Sequence, residues 1–389
     1  MSSIKVAEEL GPLQASIPGR ERPLPLALPE SESELRDLII RAGSAGLKVL
    51  PVGAGSRLGG AFECDADLLI STDKLSGVIA YEPGDGTITA LAGTRMSELA
   101  ARAREGGHRL TPDIPRPETA TLGGVLADGI SGGDRLRFGP SKHHVLGMRV
   151  LMSDGTITKT GGRLVKNVTG FDLHRLYAGS AGSLCVILEA TMRLFPAPEE
   201  RAFGQLSLAS LKKALDLAAA LSAPPLDPTA VSLSRSDDGW LLTLTLDGRR
   251  ERVTRERALA TERAPDLEWT QGAEAEAAHI QRRDSAPAET GAVLLRVGAR
   301  ASRIQALLEV IEAEAPRSPY LAHPTAGALT LELADECDPT PLISSLREMG
   351  ATVRVRGARD EGSRPRNTAA LEARLQRALD PEDLFCGRP

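Results

Sequence analysis

Pro51-Val52-Gly53-Ala54-Gly55-Ser56-Arg57-Leu58-Gly59-Gly60 and, about seventy residues on, Thr121-Leu122-Gly123-Gly124-Val125-Leu126-Ala127-Asp128-Gly129-Ile130-Ser131-Gly132-Gly133 are the stretches on which the fold turns. Glycine accepts φ > 0 and carries no Cβ, so each stretch can bring bare backbone N–H groups up to an anion. One such loop is commonplace, and a packed turn with no ligand is its plain alternative. Two, with strand patterns between and after them, imply a long diphosphate ligand gripped from two sides, a dinucleotide such as FAD. A Rossmann fingerprint competes for the first loop, and Asp73 stands near the spacing of a ribose-binding acid. Its third glycine, Gly59, comes one position late, however, and Phe62 to Asp67 leads into a strand pattern rather than a helix. A Walker loop fails, because no Gly-Lys-Ser/Thr occurs.

Around the loops the pattern is α+β. Ser31 can cap a helix with Glu34 as its capping-box partner, and Leu35, Leu38, Ile39 and Ala42 supply the apolar face. Lys48–Val52 is a short strand that delivers the first loop. Asp67–Thr72 and Thr87–Ala92 are further strands, and a helix runs from about Met96 to Arg104. Asp154-Gly155 between apolar runs marks a hairpin of Val145–Met152 with Thr156–Thr160. Ser183–Phe195 closes this half, and Pro196-Ala197-Pro198 punctuates it. Beyond it, strands and helices alternate in a pattern that predicts a smaller antiparallel α+β unit with helices on one side. Four segments result: an extended leader (1–19), a domain at 20–198, a cap at 199–361, and a helix and tail at 362–389.

Composition bounds the function. The 389 residues are 41% hydrophobic and 25% charged, ordinary for a globular chain of two or three domains. Aromatics are 3% and the formal net charge is −5, which argues against nucleic acid as a partner. No apolar run approaches the roughly 20 residues of a membrane span, and no signal peptide is visible, so a cytoplasmic location is the expectation. Cys64, Cys185, Cys337 and Cys386 are isolated, which predicts neither a zinc nor an iron–sulfur site; Cys185, inside Leu184–Leu188, reads as core.

With both loops placed, the order of segments resembles the PCMH-type (vanillyl-alcohol-oxidase-type) FAD-binding family over about residues 20–198. The resemblance rests on the two glycine segments, on Phe138-Gly139-Pro140, on Val165-Lys166-Asn167-Val168-Thr169-Gly170-Phe171-Asp172-Leu173, and on Gly179-Ser180-Ala181-Gly182-Ser183-Leu184-Cys185-Val186-Ile187. Within the family the chain is most similar to the FAD-binding subunits of bacterial glycolate oxidase, and Asp380-Pro381 with Phe385-Cys386-Gly387-Arg388 resembles the family's closing elements. The resemblance implies two α+β subdomains forming the FAD domain, followed by the cap. It implies that Gly53, Ala54, Gly55, Ser56, Arg57 and Leu58 hold the diphosphate, that Thr121, Leu122, Gly123, Gly124, Ala127 and Ser131 line it from the other side, and that Gly182 and Ile187 sit near the adenosine. The FAD would be non-covalent, since the first loop has no histidine.

The implied chemistry is oxidation of glycolate, a small 2-hydroxy acid, to glyoxylate. The implied partners are a second FAD-binding catalytic subunit and an iron–sulfur subunit that takes the electrons; any membrane association would run through that complex. Lys166, Asn167 and Arg135 are the candidate catalytic residues, with Arg135-Leu136-Arg137 able to bind a carboxylate. The chain departs from related dehydrogenases in the cap: their His-x-Gly-Asp-Gly-Asn-x-His metal motif is reduced here to His323 in Tyr320–Ala328, so no metal site is expected. That loss keeps a second reading open, a non-catalytic assembly or electron-relay subunit. A third, the flavin subunit of a molybdenum hydroxylase, is disfavoured by the Lys166–Asp172 segment and by Asp380-Pro381. His143-His144 reads as a solvated loop, His174 as exposed at a helix start, and Asp172 as that helix's cap.

Overall fold

The computed structural model describes residues 3–16, 22–56, 65–162, 171–287, 293–334, 337–356 and 366–386. Three sheets organise it. The first runs in the order Leu13–Ala15, Leu24–Ala27, Leu68–Ser71, Val49–Val52, with an antiparallel first pair and parallel pairs after it. The second runs Val78–Glu82, Thr87–Leu91, Val186–Pro196, Val145–Leu151, Ile157–Gly161 and is antiparallel throughout; His108–Leu110 adds to the end of Val186–Pro196. The third has eight antiparallel strands between Glu200 and Arg356. The α+β expectation holds.

The sequence signals act locally as chemistry dictates. Ser31 caps the Glu32–Ser44 helix, its Oγ accepting the Glu34 N–H (3.2 Å). Glu34 reaches back to the Glu30 N–H (2.8 Å), one residue earlier than a capping box requires. Leu35, Leu38, Ile39 and Ala42 are buried as their spacing predicts. Cys185 is core, and burial raises its thiol pKa.

The leader differs from expectation. Ser3–Leu10 is a helix, and Ala7 and Leu10 bury against the helix and sheet of the first subdomain. Proline-rich surroundings conceal its short i, i+3 spacing. The strands His108–Leu110 and Glu268–Gln271 also carry too few apolar residues to announce themselves, and Val78–Glu82, apolar at four of its five positions, is a further strand beyond the expectation.

The eight-stranded sheet has two chemically distinct faces. Val231, Leu233, Leu242, Leu244, Leu331 and Val353 join one hydrophobic core beneath helices such as Leu211–Ser222 and Ile304–Glu314. Their alternates Ser232, Thr243, Thr245, Thr330 and Arg354 point to the opposite side, into a cavity.

The chain's last described residues return to the first sheet. Leu384 O accepts the Val49 N–H (2.8 Å), Cys386 N–H donates to Val49 O (3.1 Å), and Phe385 is fully buried. Asp380 holds this turn by accepting the N–H groups of Leu384 (3.1 Å) and Phe385 (2.8 Å). Phe385→Ala is expected to cost about 3–5 kcal/mol in chemical denaturation, whereas Leu371→Ala, at a half-exposed position, stays within about 0.5 kcal/mol of wild type.

Candidate functional site

The Val49–Val52 strand hands the chain to Gly53–Ser56, and Ser71 Oγ pins the loop by donating to Gly53 O (2.8 Å). Gly55 adopts φ +73°. A Cβ on Gly53 would lie 2.1 Å from Thr121 Oγ1, so the two glycine segments touch, and only glycine allows it. Among the described residues, the N–H groups of Gly53, Ala54, Gly55 and Ser56 make no hydrogen bond. They form a row of donors at one wall of a cavity of about 80 Å³ whose other walls include Thr121, Gly124, Ala127 and Ala181. Arg57 and Leu58 lie outside the described residues.

The second segment is built differently from the first. Thr121 caps the Leu122–Asp128 helix, its Oγ1 accepting the Gly124 N–H (3.3 Å). The N–H of Leu122 donates to Thr94 O (2.9 Å) and that of Gly123 to Ala92 O (2.8 Å). A Cβ on Gly123 would meet the Ala92 Cβ at 2.8 Å, so this glycine serves close helix–strand packing. These N–H groups are therefore committed to protein acceptors, and the segment offers the cavity a surface rather than a second row of donors. Gly182, at φ +75°, packs against Pro51 at the end of the first strand. Ile187 is buried in the core and lines neither cavity.

A larger cavity of about 870 Å³ opens between the Asp128–His143 stretch and the polar face of the eight-stranded sheet. Ser131 lines it while accepting the Ser141 N–H (3.1 Å). Arg135 lines it too, and burial alone pulls its pKa down. Lys166 and Asn167 lie outside the described residues.

Arg282 carried no sequence signal and is the most informative group here. Its Nη1 donates to Ser234 Oγ (2.9 Å) and Ser285 Oγ (3.4 Å), while its Nε and Nη2 are buried without a partner among the described residues. Burial pulls its pKa down to about 10, so it remains charged at neutral pH. The neighbouring Arg283 diverges, as adjacent helical residues must, and pairs with Asp113 and Asp284. His323 lines the same cavity with Nδ1 3.0 Å from Ser232 Oγ. Burial, with the charges of Arg282 and Arg135, lowers its pKa to about 4, so it is a neutral imidazole under ordinary conditions.

His143 follows the expectation of a solvated loop, whereas His144 and His174 do not. His143 is exposed but His144 is buried edge-on against Phe195. His174 is buried rather than exposed, because its short helix lies against the Val145–Leu151 and Ile157–Gly161 strands. Asp172 makes no side-chain cap and instead pairs with Arg175. Among the described residues no group of three or more His, Cys, Asp or Glu could hold a metal.

Carboxylates paired with arginines tie the cap sheet to the side of the glycine segments. Asp113 accepts from His279 Nε2 (2.6 Å) and Arg283 (3.0 Å). Burial would raise its pKa, but these partners outweigh burial and hold it below the usual range. Asp247 accepts from Arg109 (2.7 Å), Arg201 (3.1 Å), Arg137 (3.4 Å) and Thr229 (2.6 Å); against burial, Arg109 and Arg201 bring its pKa to about 2. Asp128 pairs with Arg296 (2.5 Å) and Arg356, while Arg354 donates to its carbonyl (2.9 Å).

Residues 23–161 match the FAD binding domain family, which bears out the resemblance drawn from the motifs. The chain is 30% identical to a D-2-hydroxyglutarate dehydrogenase of Xanthomonas citri pv. viticola over 52% of its own length and 43% of that protein. It is 37% identical to the glycolate oxidase subunit GlcE of Escherichia coli over 31% of its length and 35% of the relative. It is 27% identical to the glycolate oxidase subunit GlcD of Bacillus subtilis over 44% and 37%. The alignments thus span about two fifths of these relatives. A solved alkyldihydroxyacetonephosphate synthase superimposes with a TM-score of 0.70 over 94% of this chain and 77% of its own, at 15% identity, a likeness of fold.

Gly53→Ala is expected to abolish retention of FAD through purification, read by absorbance near the flavin bands. Gly43→Ala, with nothing within 4 Å of the added Cβ, is expected to leave retention unchanged. Acid stability tests His323. Because its folded pKa is depressed, the unfolded chain takes up the proton first, so stability drains as pH falls from 6.5 towards about 4. His323→Asn is expected to flatten the fall of Tm across that window; an unchanged slope would show that His323 does not carry it.

Proposed function

We propose that this chain, whose residues 23–161 are a PCMH-type FAD-binding domain, oxidises a small 2-hydroxy acid as the FAD-binding subunit of a glycolate-oxidase-type complex. The observation that carries the reading is the Arg282 guanidinium, charged, buried, and with Nε and Nη2 unpartnered at a cavity beside the flavin cradle. A buried cation left this way costs several kcal/mol unless an anion meets it, and a carboxylate offers two acceptors in the matching geometry. Arg135 adds a second positive charge in the same cavity.

The residues divide the work. Arg282 and Arg135 bind and orient the carboxylate. His323, kept neutral by burial and by the charges of Arg282 and Arg135, adds a polar imidazole to the cavity wall beside Ser232. The free N–H groups of Gly53–Ser56 hold the diphosphate, and the cofactor supplies the two-electron acceptor for the α-hydrogen. The hydroxyl-bearing face of the eight-stranded sheet gives the cavity its polar lining. Glycolate is the favoured substrate because two of the relatives are named as glycolate oxidase subunits. That naming supports further subunits of such a complex as partners, and the motif resemblance implies a sister flavin subunit and an iron–sulfur subunit for electron exit.

Anaerobic titration of the purified flavin-loaded chain with glycolate, D-lactate and D-2-hydroxyglutarate decides between this role and a non-catalytic one. Bleaching of the flavin band is the expected result, and no bleaching by any of the three would overturn the catalytic reading. Arg282→Leu is expected to raise KM about a hundredfold, equivalent to about 3 kcal/mol, with a much smaller change in kcat.

A further inference from the structure

The large cavity holds a polar constellation that neither the glycine segments nor Arg282 accounts for. Thr245, on the polar face of the Gly239–Gly248 strand, places its Oγ1 3.2 Å from His279 Nδ1, and His279 Nε2 stands 2.6 Å from Asp113 Oδ2. All three residues line the cavity. Charge fixes the direction of these bonds. Burial would raise the Asp113 pKa, but His279 and Arg283 hold it below the usual range, so this carboxylate only accepts. The neutral imidazole therefore carries its proton on Nε2 and leaves Nδ1 to accept the Thr245 O–H. Hydroxyl, imidazole and carboxylate stand in series, an order that draws a proton towards a fixed negative charge. The surroundings agree with a substrate role. His279 and Arg282 are three residues apart on the Gly272–Asp284 helix and share a face. Along the Ala230–Ser236 strand, Ser234 meets Arg282, Ser232 meets His323, and Ala230 lies opposite Thr245. An acid whose carboxylate is met by Arg282 thus lies over the same polar strand face as the Thr245 hydroxyl. The remaining charges around the series are Arg283 on the other oxygen of Asp113 (3.0 Å), Glu276 paired with Arg201 (2.6 Å), Asp134 accepting the Asp113 N–H (2.9 Å), and Asp247, two residues beyond Thr245.

We propose that Thr245, His279 and Asp113 form the relay that takes the hydroxyl proton of the 2-hydroxy acid, with Thr245 touching the substrate and the other two acting through it. This rests on the reading of the cavity as a 2-hydroxy-acid site. The substrate hydroxyl gives its proton to Thr245 Oγ1, and Thr245 gives its own to His279 Nδ1. The α-hydrogen departs with its electron pair, for which the bound flavin is the acceptor, and the C–O bond becomes the carbonyl of a 2-oxo acid. The substrate is oxidised by two electrons and loses two hydrogens, one as hydride and one as the proton held on Nδ1. The imidazolium that results lies against the Asp113 carboxylate, which stabilises it without itself taking a proton.

The test is the limiting rate of anaerobic flavin reduction in the flavin-loaded full-length chain, using the fastest of glycolate, D-lactate and D-2-hydroxyglutarate, with the substrate Kd taken from the same traces. Thr245→Val keeps the β-branched shape and removes only the hydroxyl. It is expected to slow reduction about a hundredfold while Kd stays within about threefold of wild type, and Thr245→Ser is expected to restore most of the rate. His279→Gln is expected to be as slow and to lose the acid limb of the pH profile, in which protonation of Nδ1 closes it as an acceptor. A contact that served only the fold would lower Tm and flavin content without this split between rate and Kd. A second readout needs no turnover: with histidine labelled by nitrogen-15, the His279 Nε2–H, bonded to the carboxylate, is expected downfield of the amide protons and absent from His279→Gln. A Thr245→Val rate within about tenfold of wild type, a Thr245→Ser rate no faster than that of Thr245→Val, or a neutral His279 with its proton on Nδ1 would each overturn the relay. A wild-type chain that holds FAD but is bleached by none of the three acids would overturn the substrate reading beneath it, an outcome distinguishable from those.

Discussion

Three carboxylates, Asp128 and Asp247 buried and Asp113 half-buried, depend on arginines that reach them from the opposite side of the junction between the glycine segments and the cap sheet, and the arrangement of the molecule follows from that dependence. Asp113 and Asp128 stand on the side of the glycine segments and are met by Arg283, Arg296 and Arg356 from the cap. Asp247 stands in the cap sheet and is met by Arg109 and Arg137 from the other side. Charge is thus exchanged in both directions. An ion pair of this kind adds little to stability compared with a well-packed apolar contact, but breaking one orphans a buried charge at a cost of about 3–5 kcal/mol. The two sides therefore hold one relative position, and the 870 Å³ cavity between them keeps its shape.

Within that frame the arginines of the cavity differ in how fully they are paired. Arg283, Arg296 and Arg354 line it, but their charge or donors are engaged by Asp113, Asp128 and backbone carbonyls. Arg282 meets only hydroxyl groups. The difference between neighbours such as Arg282 and Arg283 is one of direction, set by their angular separation on the Gly272–Asp284 helix. Burial, together with the charges of Arg282 and Arg135, keeps His323 neutral at the wall of the same cavity.

Much of the fold was legible because its signals are local. Ser31 capping its helix, Asp154-Gly155 turning a hairpin and alternation in Val231-Ser232-Leu233-Ser234 all depend on residues within a few positions of each other. The alternation held more than was taken from it: hydroxyl residues at every second place along Ser232–Ser234 and Thr243–Thr245 mark a strand face that is polar yet covered. The Ser3–Leu10 helix was hidden because eight residues carry too little periodic information beside a proline-rich stretch.

The sequence by itself determined the class of ligand: two glycine segments in the order of a PCMH-type FAD domain require backbone laid close to a diphosphate, and Gly53 is glycine because Thr121 leaves no room for a Cβ. Only the tertiary structure decided which N–H groups and side chains are left free. The N–H groups of Leu122 and Gly123 look available in a linear reading, but Thr94 and Ala92 carbonyls already take them. Arg282 looks like one arginine among many until its helix carries it to the cavity. The physical reason is the same in each case: whether a polar group is free depends on partners distant in the chain, and those are fixed by packing rather than by neighbours in sequence.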